Sequence, residues 1–546
     1  MAEHTYFKTL QEQLASGRLD RREFVRYSAL LGVSATAAYA VAGRIVGEDF
    51  APKAQAQDMP MGGTMRIAMR VYVVDSPHTF SWIIDSNIAR QVCGYMTRTG
   101  TDNVTRPDLV ESWEASDDLM TWTLNVRPGV KWHNGRAFTA EDVAWNLKRV
   151  LDPETGSSVL GLMKGYMMND DGSAMWDANA IELVDDTTVR LNTRSANVAI
   201  PEHLFHYPLM IIDPAEDGVF GVGSNGTGAY TLVEHVVGER SVLENANNAT
   251  WHGEGPFLDR IEFIDLGDDP SAAIGAIASK QVHAVYEGDI IQLDAYKAMP
   301  HVDINPATTA QTAVARIQVD TAPFTDPRVR KAMRLAIDTP SILEAAHRGL
   351  GSAAEHHHVA PIHPDYAQLP FMARDVEAAK ALLAEAGHAD GIDAEITCKK
   401  DPAWELLAVQ ALVEQWKEAG INVDINVLPS DQFWESWDKV PFGFTPWTHR
   451  PLGFMVLGLA YRSGVPWNET HYANPEFDAK LTQAEGLLDI DARREVMAEL
   501  ETIMQEDGPI VQPLWRAIYN VSDKRVQGYI MHPTSYIFGE TLAIDS

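Results

Sequence analysis

A proline-broken segment of the chain, residues 441–468, collects the side chains best suited to hold a small molecule. Arg450 offers a planar guanidinium that can bind a carboxylate or a phosphate through two parallel hydrogen bonds. Trp447 offers a flat face for a ring or a cation, and His449 and Trp467 lie in the same segment. This set predicts a binding site for a small solute with an anionic group. Pairing of Arg450 with a carboxylate of the protein itself is the equal alternative.

Four histidines, His356, His357, His358 and His363, lie close enough in sequence to suggest a metal site. Consecutive side chains of an extended segment point to alternate sides, so neighbouring imidazoles cannot all reach one ion. We therefore predict a solvated loop here and no metal site.

The sequence lacks the common motifs of a catalytic centre: it has no GxSxG, no HExxH and no P-loop. Residues 221–226 (GVGSNG) match the pattern GxGxxG, but the β-rich run 229–233 follows where a dinucleotide site requires a helix. These observations predict a protein that is not an enzyme and that uses no cofactor.

The composition is that of an acidic globular protein with more than one domain. At 546 residues the chain is too long for one ordinary core. Its formal net charge of −32 disfavours nucleic acid and anionic lipid, whose phosphates it would repel. The two cysteines, Cys93 and Cys398, cannot form a disulfide framework, and we predict that they are buried free thiols.

The elements that must position a site are clearest in the C-terminal half. Asp326 and Pro327 have the residue types of an N-cap and a first helical position, and apolar residues follow at helical spacing up to Ile337. The basic residues of this helix fall mostly off its apolar stripe, as in a surface helix. Farther on, a strand over 392–397, a helix and a strand over 421–427 predict a parallel crossover.

Three stretches of the chain resemble signatures of one protein family. They are PDLVESWEASDD at 107–118, WTLNVRPGVKWHNGRAFTAEDVAWNLKRV at 122–150 and PFTDPRVRKAMRLAID at 323–338. The last is similar to "PF.D.RVR.A...AID" of the extracellular solute-binding proteins of family 5, the peptide, nickel and opine receptors of ABC importers. The resemblance implies an α/β, two-lobed periplasmic-binding-protein fold of type II, whose lobes close over a ligand.

The resemblance also implies the domain organisation. Lobe I would span residues 57–312, with an inserted subdomain at about 80–220. Lobe II would span 313–510, and the tail 511–546 would return to lobe I. Two crossings between the lobes would then act as a hinge.

The resemblance extends to the ligand site, but the chain departs from the family pattern there. Peptide receptors of the family hold the α-amino group of the peptide with the first Asp of a loop "W..D..DP", where this chain has His449 and Arg450. The departure favours a modified peptide, an opine-like conjugate or a metal chelate. From the opposite lobe, the usual placement of the first strand and following helix adds Tyr72, Asp75 and Tyr95.

We therefore predict a receptor that captures a small-molecule solute and delivers it to the transmembrane subunits of an ABC permease. It would act as a monomer and would not bind nucleic acid. A periplasmic hydrolase and a chaperone-like peptide binder are the alternatives. An enzyme would turn its substrate over, and a chaperone would bind many unrelated unfolded chains.

The N-terminal region has the features of an export signal. Arg21 and Arg22 lie in DRREFVR, which resembles the twin-arginine motif, and residues 27–43 follow without a charge. The sequence AQA at 54–56 resembles a cleavage site. We predict that residues 1–56 are a signal peptide and that the mature protein is soluble in the periplasm. An amphipathic N-terminal helix is the alternative.

Overall fold

The structure, a computed structural model, describes residues 4–47 and 59–545. Its α-helices in these ranges are α1 Phe7–Ala15, α2 Arg21–Leu30, α3 Ala35–Val46, α4 Ile83–Ala89, α5 Ala140–Leu151, α6 Val159–Met167, α7 Ile200–His203, α8 Pro270–Ala278, α9 Leu293–Lys297, α10 Pro327–Leu335, α11 Thr339–His347, α12 Val376–Glu385, α13 Ala403–Glu418, α14 Ser430–Ser436, α15 Gly453–Ala460, α16 Pro475–Gly486 and α17 Ile490–Glu506.

The strands alternate with these helices along most of the chain. They are β1 Thr64–Ala68, β2 Thr97–Thr99, β3 Thr105–Pro107, β4 Val110–Ala115, β5 Thr121–Val126, β6 Ile181–Asp185, β7 Thr188–Asn192, β8 Tyr230–Val236, β9 Arg240–Asn245, β10 Arg260–Ile264, β11 Ala284–Val285, β12 Val302–Ile317, β13 Gly351–Ala353, β14 Ile392–Lys399, β15 Ile421–Leu428, β16 Phe442–Trp447, β17 Ile510–Val511, β18 Leu514–Asp523, β19 Val526–Gln527 and β20 Ala543–Ile544.

One mixed sheet runs through the molecule in the order β15-β14-β16-β12-β18-β11-β1-β10-β9-β8. The antiparallel pair of β12 and β18 lies in its middle. We call the strands β1 and β8–β11, with their helices, the first lobe, and the strands β14–β16, with theirs, the second lobe. β14 and β15 run parallel on either side of α13, so the predicted parallel crossover is confirmed.

A second sheet lies in the part of the chain between β3 and β8. Its antiparallel order is β4-β5-β7-β6, and it covers residues 110–192 of the chain. Helix α5 packs on it, and its Val143 and Leu147 are fully buried. These four strands therefore form a sheet separate from the main one.

β12 is built to lie in the interior of the main sheet. Every residue from Thr309 to Ile317 is buried, although four of the nine are polar or charged. Burial of successive residues shows that this part of the strand is covered on both faces. Arg316 is the charged residue of this run, and its partners are described below.

The start of α10 confirms its sequence signature, but its basic residues differ from expectation. The Asp326 carboxylate accepts a hydrogen bond from the Arg328 main-chain N–H at 2.9 Å, as an N-cap should. The surface-helix interpretation is wrong for Arg330 and Arg334, which are 3% and 0% exposed. Both donate to main-chain carbonyls at residues 505–510, the turn that leads into β17. These hydrogen bonds therefore hold α10 against the segment that leads into β17, the strand that returns toward the first lobe.

The N-terminal region forms three helices that pack on the rest of the protein. Trp113 of β4 donates its indole N–H to the Leu30 carbonyl at 3.0 Å. Arg493 of α17 donates to the Tyr27 hydroxyl at 2.9 Å, and Glu23 pairs with Arg494 at 2.6 Å. Helices α1–α3 therefore join the four-stranded sheet to α17.

The features of the predicted export signal lie in different environments in this arrangement. The Arg21 and Arg22 side chains are exposed, whereas Phe24 and Val25, directly after them, are fully buried. The predicted cleavage site at 54–56 lies outside the described residues. Across the described ranges, none of the helices combines the length and the apolarity that a membrane crossing requires.

The contact between α2 and α17 predicts a stability effect in the full chain. Tyr27→Phe removes the acceptor of a buried Arg493 N–H, and we expect a loss of about 1–3 kcal/mol in the free energy of unfolding in urea. Tyr39→Phe is the matched control, because the Tyr39 hydroxyl donates to Asp102 at an exposed position. Equal stabilities of the two variants would contradict the packing described for α2.

Candidate functional site

A cavity of about 250 Å³ lies at the centre of the main sheet, where the two lobes meet. The first lobe contributes Arg70, Tyr72 and Trp82 from the segment after β1. The central strands β12 and β18 contribute side chains such as Arg516. The second lobe contributes the carboxyl end of β14, the start of α13, and Trp434 of α14. Both lobes and the strands that join them therefore form the wall.

Aromatic rings close one side of this cavity. Trp82 of the first lobe and Trp434 of the second lie with ring centroids 5.1 Å apart and ring planes tilted by 31°, a contact made across the lobes. Trp447 lies beside them, and its ring is 5.9 Å from that of Trp467 in an edge-to-face arrangement. A flat or apolar part of a solute would find its surface here.

The basic side chains of the cavity are already paired with carboxylates. Arg516 donates to both oxygens of Glu287, at 2.6 and 3.2 Å. Lys399 donates to Glu405 at 2.5 Å. Arg70 donates to Asp265 at 3.1 Å and also pairs with Asp268. The positive charges of the wall are thus locally balanced, and none of these three offers an unpaired cation to a solute.

A buried network holds Trp447 in place. Glu469 accepts from the Trp447 indole N–H at 3.1 Å, from Thr445 at 2.7 Å and from Arg316 at 2.9 Å. Arg316 also donates to the main-chain carbonyls of Trp437 and Val440. Burial raises the pKa of Glu469 to about 6, and the Arg316 charge opposes that rise. The network joins β12, β16 and the loop before α16 behind the aromatic wall.

The predicted ligand-binding residues divide into three groups in the structure. Tyr72 and Trp447 line the cavity. Trp467 and Arg450 line a small adjoining gap of about 20 Å³, which shares Trp82, Trp434 and Trp447 with the cavity.

His449 lies apart from the main cavity and is fully buried. Its Nδ1 accepts from the Ala310 N–H at 3.0 Å, and its Nε2 is 3.0 Å from the Asn103 side-chain oxygen. Burial lowers the pKa of His449 well below its ordinary value, so the ring is neutral. In this position it links β12 to the first lobe.

Arg450 does not make the predicted alternative contact, an ion pair with a carboxylate of the protein itself. Its guanidinium donates to Thr448 and to the His449 carbonyl and lies 5.6 Å from the centroid of the Tyr207 ring. Among the ion pairs of the described residues, none includes Arg450. Its Nε is buried without a hydrogen-bond partner in the described part of the chain.

Asp75 and Tyr95 do not line the cavity or the gap. Asp75 is exposed, and its main-chain carbonyl accepts from the Phe220 N–H at 2.9 Å. Tyr95 is buried, and its hydroxyl donates to the Tyr207 carbonyl at 2.9 Å. Both therefore serve the packing of the first lobe in this conformation.

The histidine-rich loop differs from its prediction. His356, His357, His358 and His363 are buried, at 4% exposure or less, so the solvated-loop interpretation is wrong. His358 hydrogen-bonds Tyr461 at 2.6 Å. Within the described ranges, no three His, Cys, Asp or Glu side chains are grouped so as to hold a metal ion.

Several residues of the cavity wall could not be identified from the sequence, because they come from distant parts of the chain. Trp82 and Trp434 carry no local motif. The positions of Lys399, Asp401 and Glu405 do point to a site, since these residues lie where β14 ends and α13 begins. Ligands of open α/β sheets bind at the carboxyl ends of the strands. That rule singles out this corner of the wall.

A second, more open groove of about 560 Å³ lies between residues 153–172 and 464–473. The central strands β12 and β18 do not reach it, and its lining holds fewer aromatic rings. We therefore treat the cavity between the lobes as the candidate site.

Two lobes joined by a strand pair, with a cavity between them, define a two-lobed binding protein. The profile described as "Bacterial extracellular solute-binding proteins, family 5 Middle" matches residues 104–464, well over half of the chain. The chain belongs to this family of solute-binding proteins.

Individual relatives are distant but cover most of the chain. Heme-binding protein A of Haemophilus influenzae is 24% identical over 79% of this chain and 82% of the relative. The periplasmic oligopeptide-binding protein OppA of Salmonella typhimurium is 25% identical over 80% and 83%. The solved structure of the Escherichia coli murein tripeptide binding protein MppA covers 89% of this chain and 98% of its own, with a TM-score of 0.79 and 20% identity. The predicted α/β two-lobed fold is thereby confirmed.

The network around Glu469 predicts a large stability effect. Glu469→Ala leaves Arg316 charged and buried without its partner, and we expect a loss of about 3–5 kcal/mol in the free energy of unfolding. Glu499→Ala is the control, because Glu499 pairs with Lys480 on the surface, where about 0–1 kcal/mol is expected. Urea unfolding followed by circular dichroism measures both. A loss below 1 kcal/mol for Glu469→Ala would show that the pair does not brace the wall.

Proposed function

We propose that the protein is the receptor of an ABC importer and captures a small solute in the cavity between its lobes. The observation that carries the proposal is the composition of the wall, to which both lobes and the joining strands contribute. A solute held there contacts both lobes at once and so stabilises the closed form. The closed receptor would then deliver the solute to the transmembrane subunits of the permease.

Binding without chemical change fits the side chains of the wall. Aromatic faces and paired charges recognise and orient a solute, whereas catalysis needs a nucleophile, a base and a group that orients them. The names of the relatives point the same way, since they describe proteins that bind heme, oligopeptides and a murein tripeptide. A modified peptide, an opine-like conjugate or a metal chelate is the solute class that we propose for this chain.

The place of action that we propose is the periplasm, reached through the twin-arginine route. The exposed Arg21 and Arg22 support the proposal, because an export signal has to be accessible to the machinery that reads it. The protein would work there as a monomer, since the proposed cavity needs residues of a single chain only.

Solute capture predicts that a bound molecule co-purifies with the protein. Ala273→Trp places an indole in the cavity wall, and we expect native mass spectrometry to show the mass of a solute on the unaltered chain and its loss from the variant. Ala272→Trp, one residue away on α8 and outside the wall, is the matched control and should keep the solute. Absence of any bound mass, together with no melting shift in a screen of small solutes, would refute the receptor.

Export by the twin-arginine route predicts a sharp dependence on two residues. Changing Arg21 and Arg22 together to Lys keeps the charge, so we expect the folded chain to remain in the cytoplasm while its stability is unchanged. Immunoblots of periplasmic and cytoplasmic fractions measure this. Changing the exposed Arg18 and Arg44 to Lys serves as a control outside the motif. Undiminished export of the Arg21, Arg22 variant would exclude this route.

A further inference from the structure

One corner of the cavity carries buried polar atoms that the rest of the protein does not satisfy. Asp401 Oδ2, Glu405 Oε2 and the Trp404 indole N–H are all buried, and none has a hydrogen-bond partner among the described residues. Glu405 is 1% exposed and Trp404 2% exposed, and all three residues line the cavity. We call these three residues the 401–405 corner.

Unsatisfied groups of this kind have to be explained. A buried polar group without a partner costs about 1–3 kcal/mol, and more if it is charged. The same protein satisfies Glu469 fully, with three donors on its two oxygens. The 401–405 corner differs from Glu469 in this respect. Asp85, Glu202 and Glu501 also have a buried oxygen without a partner among the described residues, but none of the three lines the cavity.

The position of Glu405 in the first turn of α13 does not explain why its carboxylate is buried there. Acidic residues are favoured in the first turn of a helix, where they interact with free main-chain N–H groups and with the helix dipole. Such a contact would give the carboxylate a main-chain donor. Instead, Lys399 contacts only Oε1, and Oε2 is left without a donor from the described residues.

The charges around the corner favour a cation. The cavity wall holds six carboxylates and three basic side chains. The carboxylates are those of Asp268, Asp269, Glu287, Asp289, Asp401 and Glu405, and the basic residues are Arg70, Lys399 and Arg516. Each basic residue is already paired, as described above.

Neighbouring groups do not change this balance. His347, which also lines the cavity, stays neutral near pH 7 because burial lowers its pKa to about 4. Burial raises the pKa of Asp401; the charges of Lys400, Lys399 and Arg70 oppose that rise, and the Asp289 charge adds to it. A cation that arrived at the corner would relieve this cost.

Lys399 shows how close the acceptors lie. Its ammonium donates to the Asp401 carbonyl at 2.7 Å and to Glu405 at 2.5 Å. The two residues therefore flank a single ammonium group. A second cationic group in the cavity would meet the oxygens that Lys399 leaves unused.

We propose that the 401–405 corner binds the cationic end, a primary ammonium or a guanidinium, of the captured solute. The cation donates to Asp401 Oδ2 and Glu405 Oε2, and the Trp404 indole N–H donates to an acceptor next to it. Tyr72, Trp82 and Trp434 pack against the apolar remainder. This inference rests on the proposed function and names the chemistry of one end of the solute. An anionic group elsewhere on the solute would have to reach Arg450 in the adjoining gap.

The test uses two probes of similar shape and opposite charge, phenethylamine and 3-phenylpropionate, titrated into the full chain. Binding is followed by tryptophan fluorescence and by calorimetry. We expect phenethylamine to bind at least about tenfold more tightly than 3-phenylpropionate, the effect of roughly one charge-assisted hydrogen bond. Equal or tighter binding of 3-phenylpropionate, or no binding of phenethylamine, overturns the inference.

Variants of the two carboxylates test where the cationic group of phenethylamine binds. Asp401→Asn and Glu405→Gln keep the size of each side chain and should each weaken phenethylamine by about tenfold. Asp393→Asn, an exposed carboxylate on β14, is the matched control and should leave the affinity unchanged. Because Glu405 also pairs with Lys399, melting curves check that Glu405→Gln folds. If Glu405→Gln does not fold, Asp401→Asn is the decisive variant, because Asp401 is partly exposed.

Failure of this inference is distinct from failure of the proposed function. A co-purified solute that Ala273→Trp displaces but that carries no cationic group would refute the 401–405 corner and leave the receptor standing. Unchanged affinity of phenethylamine in both Asp401→Asn and Glu405→Gln would have the same meaning.

Discussion

The ion pair of Arg316 and Glu469 is the contact on which the arrangement of the site depends. Arg316 lies on the central strand β12 with no exposed surface, so its charge is removed from water entirely. Such burial is tolerable only where the charge is paired and its N–H groups are also satisfied. Glu469 and the carbonyls of Trp437 and Val440 do this, and the same carboxylate orients Trp447. A group that stabilises the joining strand thus also fixes the aromatic wall.

The cavity follows from the position of that strand. β12 pairs with β16 of the second lobe on one side and with β18 on the other, and β18 leads to β11 of the first lobe. The main chain between the lobes is therefore held by continuous ladders. The charged side chains Arg70, Arg516 and Lys399 of the cavity wall are paired with carboxylates. Among the described residues that line the cavity, the buried side-chain atoms without a partner are those of the 401–405 corner and His347 Nδ1.

The sequence predicted elements whose determinants are local, and it missed contacts that depend on distant residues. The cap at Asp326 and the parallel pairing around α13 could be predicted, because capping residues and periodicity act within a few residues. Arg330 and Arg334 were misjudged, because their acceptors lie about 170 residues away. The histidine loop was misjudged because partners such as Tyr461 come from elsewhere in the chain. In the candidate site, Trp447 and Tyr72 were found, whereas Trp82, Trp434 and the 401–405 corner were not.

The N-terminal segment has to keep its basic pair accessible and its apolar residues away from water. An export signal needs Arg21 and Arg22 to be accessible, and both are exposed. Residues 24–31, which follow the pair, are all buried, with Phe24 at 0% exposure and the Leu30 carbonyl bonded to Trp113. The basic pair and the apolar run therefore face opposite environments. If residues 1–56 are removed after export, the mature protein loses the Tyr27 acceptor of Arg493, and the surface around Trp113 is uncovered. The chain before and after processing would then differ in what joins the four-stranded sheet to α17, although none of the described residues of this segment, 4–47, lines the cavity.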